Sequence, residues 1–310
     1  MTDTTSAAPR AKPIEFALLG LLALLWGSSY LFGKVAVSEI PPLTVVAGRV
    51  SIATVILAAV MAVRRDAWPS GRRIWAMLLL QAVFNSIGSW TVLAWAQQHI
   101  DASLASVLNS TAPIFVFLMT ALAFGRSGFA WMKLLGTTVG IVGVALIVGV
   151  GRGAGEAVGV WGPLAALFGA FLYACAAIYG RRFAELSPTA TAAGTMLWAT
   201  VALAPAALII EQPWRLSPSV EALTALVVLG VACTGVALLL YFRLLRTLGP
   251  LGVASQSYLR AGIGALLGVA VLGESLSTVA LIGMGLAVLG VAAMNAPARR
   301  RPLAGRARAP

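Results

Sequence analysis

Two arginines lie where a charge is hardest to keep. Arg49 falls in the apolar stretch 42–63 and Arg260 in the stretch 250–272, and a guanidinium stays protonated in a protein. Held in lipid, such a group needs a counter-charge, backbone carbonyls, water or an anionic ligand. The ten acidic residues all fall in tails, loops or the ends of apolar stretches, so none is available to neutralise Arg260. Arg260 is therefore expected to take the carboxylate of a small substrate. Arg49, nearer the end of its stretch, is open to either role, substrate contact or a structural pin on carbonyls. Polar and aromatic residues recur nearby at helical spacing. Gln81, Asn85 and Ser89 share one face, as do Trp26 with Tyr30 and Gln256 with Arg260. Asn109 and Ser110 lie one turn before Pro113, where the missing backbone donor bends a helix. Tyr173, Trp198 and Thr234 complete a ring, in which Trp26, Tyr30, Tyr173 and Trp198 are expected to wall an apolar or aromatic pocket. Amides and hydroxyls in membranes often only tie helices together, at about 0.6 kcal/mol each, so packing stands beside substrate contact for each of them.

Long apolar elements must position these groups. Of the 310 residues 60% are hydrophobic and 10% charged, with mean hydropathy +0.93, whereas a soluble domain has about 45–50% and about 25%. A water-soluble globule is excluded. A hydrocarbon core about 30 Å thick needs roughly 20 helical residues per crossing, and lipid-exposed backbone must bond internally. The expected architecture is all-α, with ten spans at 14–35, 42–63, 74–97, 103–124, 129–150, 160–180, 189–210, 221–242, 250–272 and 278–295. Short loops leave no room for a separate catalytic domain. The first apolar run reads as a retained span, not a signal peptide. Cys175 and Cys233 read as buried thiols.

The net charge of +12 is spread in short clusters between spans, a topology signal and not a nucleic-acid face. Arg10, Lys12, Arg64, Arg65, Arg72, Arg73, Arg126, Lys133, Arg181, Arg182, Arg243, Arg246 and the tail arginines fall on one side. Lys34, Arg152 and Arg215 fall on the other. The positive-inside rule then puts both termini in the cytoplasm, as an even number of spans requires. Trp68, Trp75, Trp95, Trp131, Trp161 and Trp214 fall near the expected interfaces.

The two halves resemble each other. Phe124-Gly125-Arg126, Gly136, Gly143 and Val144 are echoed by Leu272-Gly273-Glu274, Gly283, Gly290 and Val291, and Trp26-Gly27 by Trp161-Gly162. The expected units are a tail at 1–13, a five-helix repeat at 14–150, a second at 158–295 and a basic tail at 296–310. An odd number of spans per repeat inverts the second, a construction known in transporters. Small-residue pairs at Gly136 and Gly140, and at Gly264 and Gly268, suit close helix packing. Trp26-Gly27-Ser28-Ser29, Pro41-Pro42, Arg49, Ala102-Ser103-Leu104-Ala105-Ser106 before Pro113, and Leu272-Gly273-Glu274-Ser275-Leu276 together resemble the drug/metabolite transporter superfamily, EamA-like branch. The resemblance covers about residues 14–295. It implies a ten-helix inverted-repeat carrier with a central cavity, exporting small metabolites, often amino acids, across the plasma membrane. Gly125-Arg126 and Arg260-Ala261 depart from that pattern, and they bear on the substrate more than on the fold.

Other chemistry fails on inspection. Gly27 to Gly33-Lys34 has the wrong spacing for a phosphate loop, and Gly149 to Gly155 lacks the strand and helix of a dinucleotide site. One histidine and no cysteine cluster leave no usual zinc site, and no cofactor is expected. With no mid-span carboxylate or histidine, facilitated diffusion or exchange is expected ahead of proton coupling. Expected partners are a small-molecule substrate and the lipid bilayer, with no nucleic acid, for a monomer or homodimer. A lipid or amphipathic-drug flippase and a non-transporting assembly subunit stand as alternatives. An intramembrane enzyme lacks its acid–base cluster.

Overall fold

The computed structural model describes residues 13–124, 131–151, 160–248, 253 and 256–295. The expectations for the two tails, for Arg126 and for Arg152 with the 152–159 loop fall outside them. Among the described residues every regular element is helical. The helices are α1 (Pro13–Val37), α2 (Pro42–Arg64), α3 (Arg72–Ala82), α4 (Ser89–His99), α5 (Ala102–Asn109), α6 (Ala112–Phe124), α7 (Trp131–Gly151), α8 (Trp161–Tyr179), α9 (Pro188–Ile210), α10 (Val220–Gly230), α11 (Ala237–Thr247), α12 (Gln256–Leu272) and α13 (Thr278–Asn295). Seven continuous helical stretches are long and apolar enough to cross a membrane, and three shorter apolar helices accompany them.

Local chemistry explains the starts and breaks. α2 and α9 each begin on a proline, whose missing N–H costs nothing in the first turn. Both are 23 residues long, and both are followed by a left-handed residue, Arg65 (φ 55°) and Gln212 (φ 49°). Ser187 and Ser219 cap α9 and α10 by accepting from Ala190 N at 3.1 Å and Ala222 N at 3.2 Å. Pro113 divides its span, so α5 stops at Asn109 and α6 resumes at Ala112.

α3 and α4 are joined by a π-helical segment, Val83–Gly88, and α10 and α11 by another, Val231–Val236. Both composite spans run 11, 6 and 11 residues. In the second, Thr234 Oγ1 donates to Leu229 O at 2.7 Å, reaching back five residues as the wider turn allows. Such wide turns are frequent at functional sites.

α1 packs on α12, α2 on α9, α4 on α8, α5 on α12 and α7 on α13. The α7–α13 contact is backbone to backbone. A Cβ at Gly143 would lie 2.5 Å from Ala287 N and Gly283 O, and one at Gly290 would lie 2.5 Å from Gly136 O. Only glycine permits that approach. The Trp-Gly pairs are not equivalent by depth: Trp26-Gly27 sits mid-way along α1, Trp161-Gly162 in the first turn of α8.

The bundle has two unlike ends. Glu39, Glu211 and Glu274 lie at one, here the acidic end. Glu15, Arg64, Arg65, Arg72, Arg73, Arg181, Arg182, Arg243 and Arg246 lie at the other, the basic end.

A candidate substrate site between the halves

α1 supplies the first fixed point. Tyr30 is buried, its hydroxyl accepts from Asn109 Nδ2 at 2.8 Å, and its carbonyl accepts from Gln97 Nε2 at 2.8 Å. These bonds tie α1, α4 and α5 together at one level. Asn109 ends α5 where the helix breaks. With its amide nitrogen committed to Tyr30, its Oδ1 has no partner among the described residues, although the residue is only 5% exposed. A buried acceptor left so costs about 1–3 kcal/mol.

Arg260 comes to the same depth from the other half. α5 and α12 run antiparallel, with Ser103 against Gly268 and Ser106 against Gly264. Ser106 Oγ donates to Ala261 O at 3.5 Å. One turn further along α5 and back along α12, this register sets Arg260 level with Asn109 and Ser110. Arg260 is 8% exposed, and its Nε finds no acceptor among the described residues. Gln256 is buried one turn away on the same helix.

Arg49 is placed differently. Its Nε donates to Thr234 Oγ1 at 2.7 Å, and its guanidinium carbon lies 4.1 Å from the centre of the Trp90 ring. A cation over an indole face is attracted by the ring quadrupole. Tyr30, Tyr173 and Cys233 are close enough to interact with its charge. Arg49 itself is partly buried. Among the described residues no carboxylate lies within ion-pairing distance of Arg49 or Arg260.

The structure thus brings Tyr30 to Asn109, and Arg49 to Thr234, Trp90, Tyr30 and Tyr173. The other expected residues have the following partners. Trp198 donates from Nε1 to Trp75 O at 2.9 Å, stands edge-on to Trp75 and lines a groove at the basic end. Gln81 Nε2 donates to Ala176 O at 3.3 Å and ties α3 to α8. Asn85 Nδ2 donates to its neighbour Ser86 Oγ at 2.9 Å. Trp26 packs against Tyr241 on α11, 5.4 Å between ring centres.

The EamA-like transporter family model matches residues 14–149 and again residues 160–296. The chain belongs to this family. It is a membrane transporter, and curated relatives resemble it along most of its length. YedA of Escherichia coli (strain K12), an uncharacterized inner membrane transporter, is 27% identical over 278 residues, 89% of each chain. A probable terminal-alkyne amino-acid exporter of Streptantibioticus cattleyicolor is 27% identical over 248 residues, 79% of this chain and 80% of that one. A crystal structure described only as that of a protein superposes with TM-score 0.64 at 21% identity, over 95% of this chain and 100% of the other. That likeness concerns the fold alone.

Within this EamA chain, regular helical spacing misses Trp90. The expected face Gln81–Asn85–Ser89 assumes an unbroken α-helix, and the Val83–Gly88 turn shifts the register by one residue. Ser89 is carried away to donate to Gly169 O at 2.9 Å, and Trp90 takes the place beside Arg49. A turn widened by one residue carries no sequence signal that apolar periodicity reads.

Proposed function

We propose that this transporter is a secondary carrier that exports a small amino-acid-like zwitterion by alternating access. The construction is ten spans in two inverted five-helix repeats, 14–150 and 158–295, with both termini and the basic end in the cytoplasm and the acidic end outside. The observation that carries the substrate reading is the pairing of two unused groups at one depth. Arg260 has a donor without an acceptor, and Asn109 has an acceptor without a donor. A carboxylate on Arg260 and an ammonium on Asn109 Oδ1 satisfy both at once. Charge-assisted bonds of this kind are about twice as strong as neutral ones, which is why a ligand with both charges is favoured over one with either. Arg49, held by Thr234 and Trp90, keeps the chamber positive. Tyr30 and Tyr173 flank the side chain of the ligand. The relative named as a probable amino-acid exporter supports the same class.

Ligand-induced thermal shift of the detergent-purified protein tests the reading. Neutral L-amino acids are expected to raise the melting temperature, while their methyl esters and decarboxylated amines leave it unchanged. Equal shifts from amino acids and esters, or shifts only from long-chain amphiphiles, contradict it.

A further inference from the structure

At the acidic end α1 is clasped to the second half. Glu39, two residues beyond α1, accepts from Ser219 N at 2.6 Å and from Ser219 Oγ at 2.7 Å, where α10 begins. Glu39 precedes Pro42, the first residue of α2, by three positions, in Ser38-Glu39-Ile40-Pro41-Pro42. The second half carries the same arrangement: Glu185 precedes Pro188, the first residue of α9, by three positions, in Ala184-Glu185-Leu186-Ser187-Pro188. If the halves are inverted copies, Glu185 belongs opposite the start of α3, as Glu39 belongs opposite the start of α10.

The structure leaves that second clasp unmade. Glu185 is exposed, and among the described residues nothing bonds to it. α3 starts at Arg72 behind Gly71 with no side-chain cap; Ile74 N donates to Gly71 O at 3.1 Å, which leaves the N–H groups of Arg72 and Arg73 without acceptors among the described residues. Ser70, Arg72 and Arg73 beside it are exposed. The packing differs in the same sense. α1 lies along α10, the Val231–Val236 segment and α11. α8 lies along α4 and the Val83–Gly88 segment and meets α3 through Gln81 in its last turn. Where α3 stands away from α8, an open groove of about 590 Å³ lies between α3 and α9, lined by Gly71, Arg72, Trp75, Ala76, Leu79 and Trp198.

We propose that Glu185 and the start of α3 form the inner gate of the carrier, the counterpart of the Glu39–Ser219 clasp, and that only one of the two is closed at a time. In this structure the Glu39 clasp is made and the Glu185 clasp is not. When the carrier turns outward, Glu185 swings onto Ser70 Oγ and the free N–H groups of Gly71, Arg72 and Arg73, with two arginine side chains at hand, and Glu39 releases Ser219. Glu185 is a positioning residue in this cycle and does not touch the substrate. The inference rests on the inverted-repeat reading above.

Cysteine pairs in proteoliposomes test it, in a background with Cys175 and Cys233 changed to serine. Glu39→Cys with Ser219→Cys and Glu185→Cys with Ser70→Cys are each expected to cross-link under mild oxidation. In the four-cysteine variant, closing one pair should lower the yield of the other at least about tenfold, the factor that about 1.4 kcal/mol of lost clasp confers. A Glu185–Ser70 pair that never cross-links, or both bonds forming in one molecule at full yield, overturns the proposal. A second readout is a cysteine at Ala222, buried beneath the Glu39 clasp. Its labelling by an impermeant maleimide should fall about tenfold in Glu185→Ala and recover in Glu185→Asp. Equal labelling in all three counts against the gate. Single cysteines at Ser70 and Ser219 identify the source of any failure. Labelling from opposite faces keeps the inverted construction and places the failure on the gate, whereas labelling from one face defeats the construction itself.

Discussion

The two ends of the bundle differ in their charged residues and are held by different physics. At the acidic end three carboxylates reach from one half of the chain to a helix start in the other. Glu39 holds Ser219. Glu211 accepts from Leu43 N at 3.0 Å, Thr44 N at 2.6 Å and Thr44 Oγ1 at 2.7 Å. Glu274 accepts from Ala102 N at 2.6 Å, from Ser103 N at 3.0 Å and from the Ser103 hydroxyl. Each carboxylate answers N–H groups that a helix start leaves unbonded and sits at the positive pole of that helix. Lys34 adds bonds to the carbonyls of Gln97 and Ile100 at 2.7 and 2.8 Å. At the basic end the one carboxylate that joins the halves among the described residues is Glu15, paired with Arg243 at 3.0 Å and accepting from Thr247 Oγ1 at 3.0 Å. The arginines there mostly face outward from the protein. Charge that specifies topology need not hold helices together.

This contrast can be broken one contact at a time. The largest effect is expected for Glu274→Ala, because Glu274 accepts three bonds and lies against the bare backbone of Gly268. It should lose about 2–3 kcal/mol, as charged hydrogen bonds do, read as a shift in the SDS-unfolding midpoint. Glu211→Ala should follow at about 1–2 kcal/mol by the same measurement. At the other end, Glu15→Gln should cost less than about 1 kcal/mol, since Arg243 is 55% exposed and its pair is screened. A larger loss at Glu15 than at Glu274 would invert the comparison.

The smallest effects are pH-dependent and opposite in sign. Hydrogen bonds from the Ser219 backbone and hydroxyl hold the Glu39 carboxyl below its ordinary value of 4.5. Its contribution is present above that value and is lost as pH falls through the lowered one. Burial, and then the charge of Glu274, push the Asp101 carboxyl above its ordinary 3.8, while Lys34 opposes them. Ionised Asp101 therefore costs stability at neutral pH, and the cost is relieved as pH falls through the raised value. Melting temperatures between pH 4 and 8 should show Glu39→Gln below wild type and Asp101→Asn above it, with both differences shrinking on acidification.

Much of the fold was legible because apolar length and glycine spacing are written directly in the chain. α2, α9 and α13 lie within a residue of the expected spans, and the Gly136, Gly143, Gly283 and Gly290 pattern is the α7–α13 contact itself. Tyr30, Asn109 and Arg260 stand out in the sequence as polar residues within apolar stretches, but which of them meet, as Tyr30 and Asn109 do, does not. The partners of Trp198 and Gln81, Trp75 O and Ala176 O, are backbone carbonyls, which sequence pattern does not locate. Trp90 was hidden by a register shift. The three glutamates were legible only as residues at the ends of spans, since which helix start each one meets depends on the tertiary fold.

Counterflow in proteoliposomes addresses the central claim most directly, that an intramembrane guanidinium opposite an amide oxygen selects a zwitterion. Vesicles loaded with a neutral L-amino acid should accumulate its radiolabelled form through the wild-type protein. Arg260→Gln should abolish that accumulation while leaving the melting temperature of the unliganded protein near wild type, and the methyl ester of the same amino acid should not compete. Undiminished counterflow through Arg260→Gln, or full competition by the ester, would contradict the account.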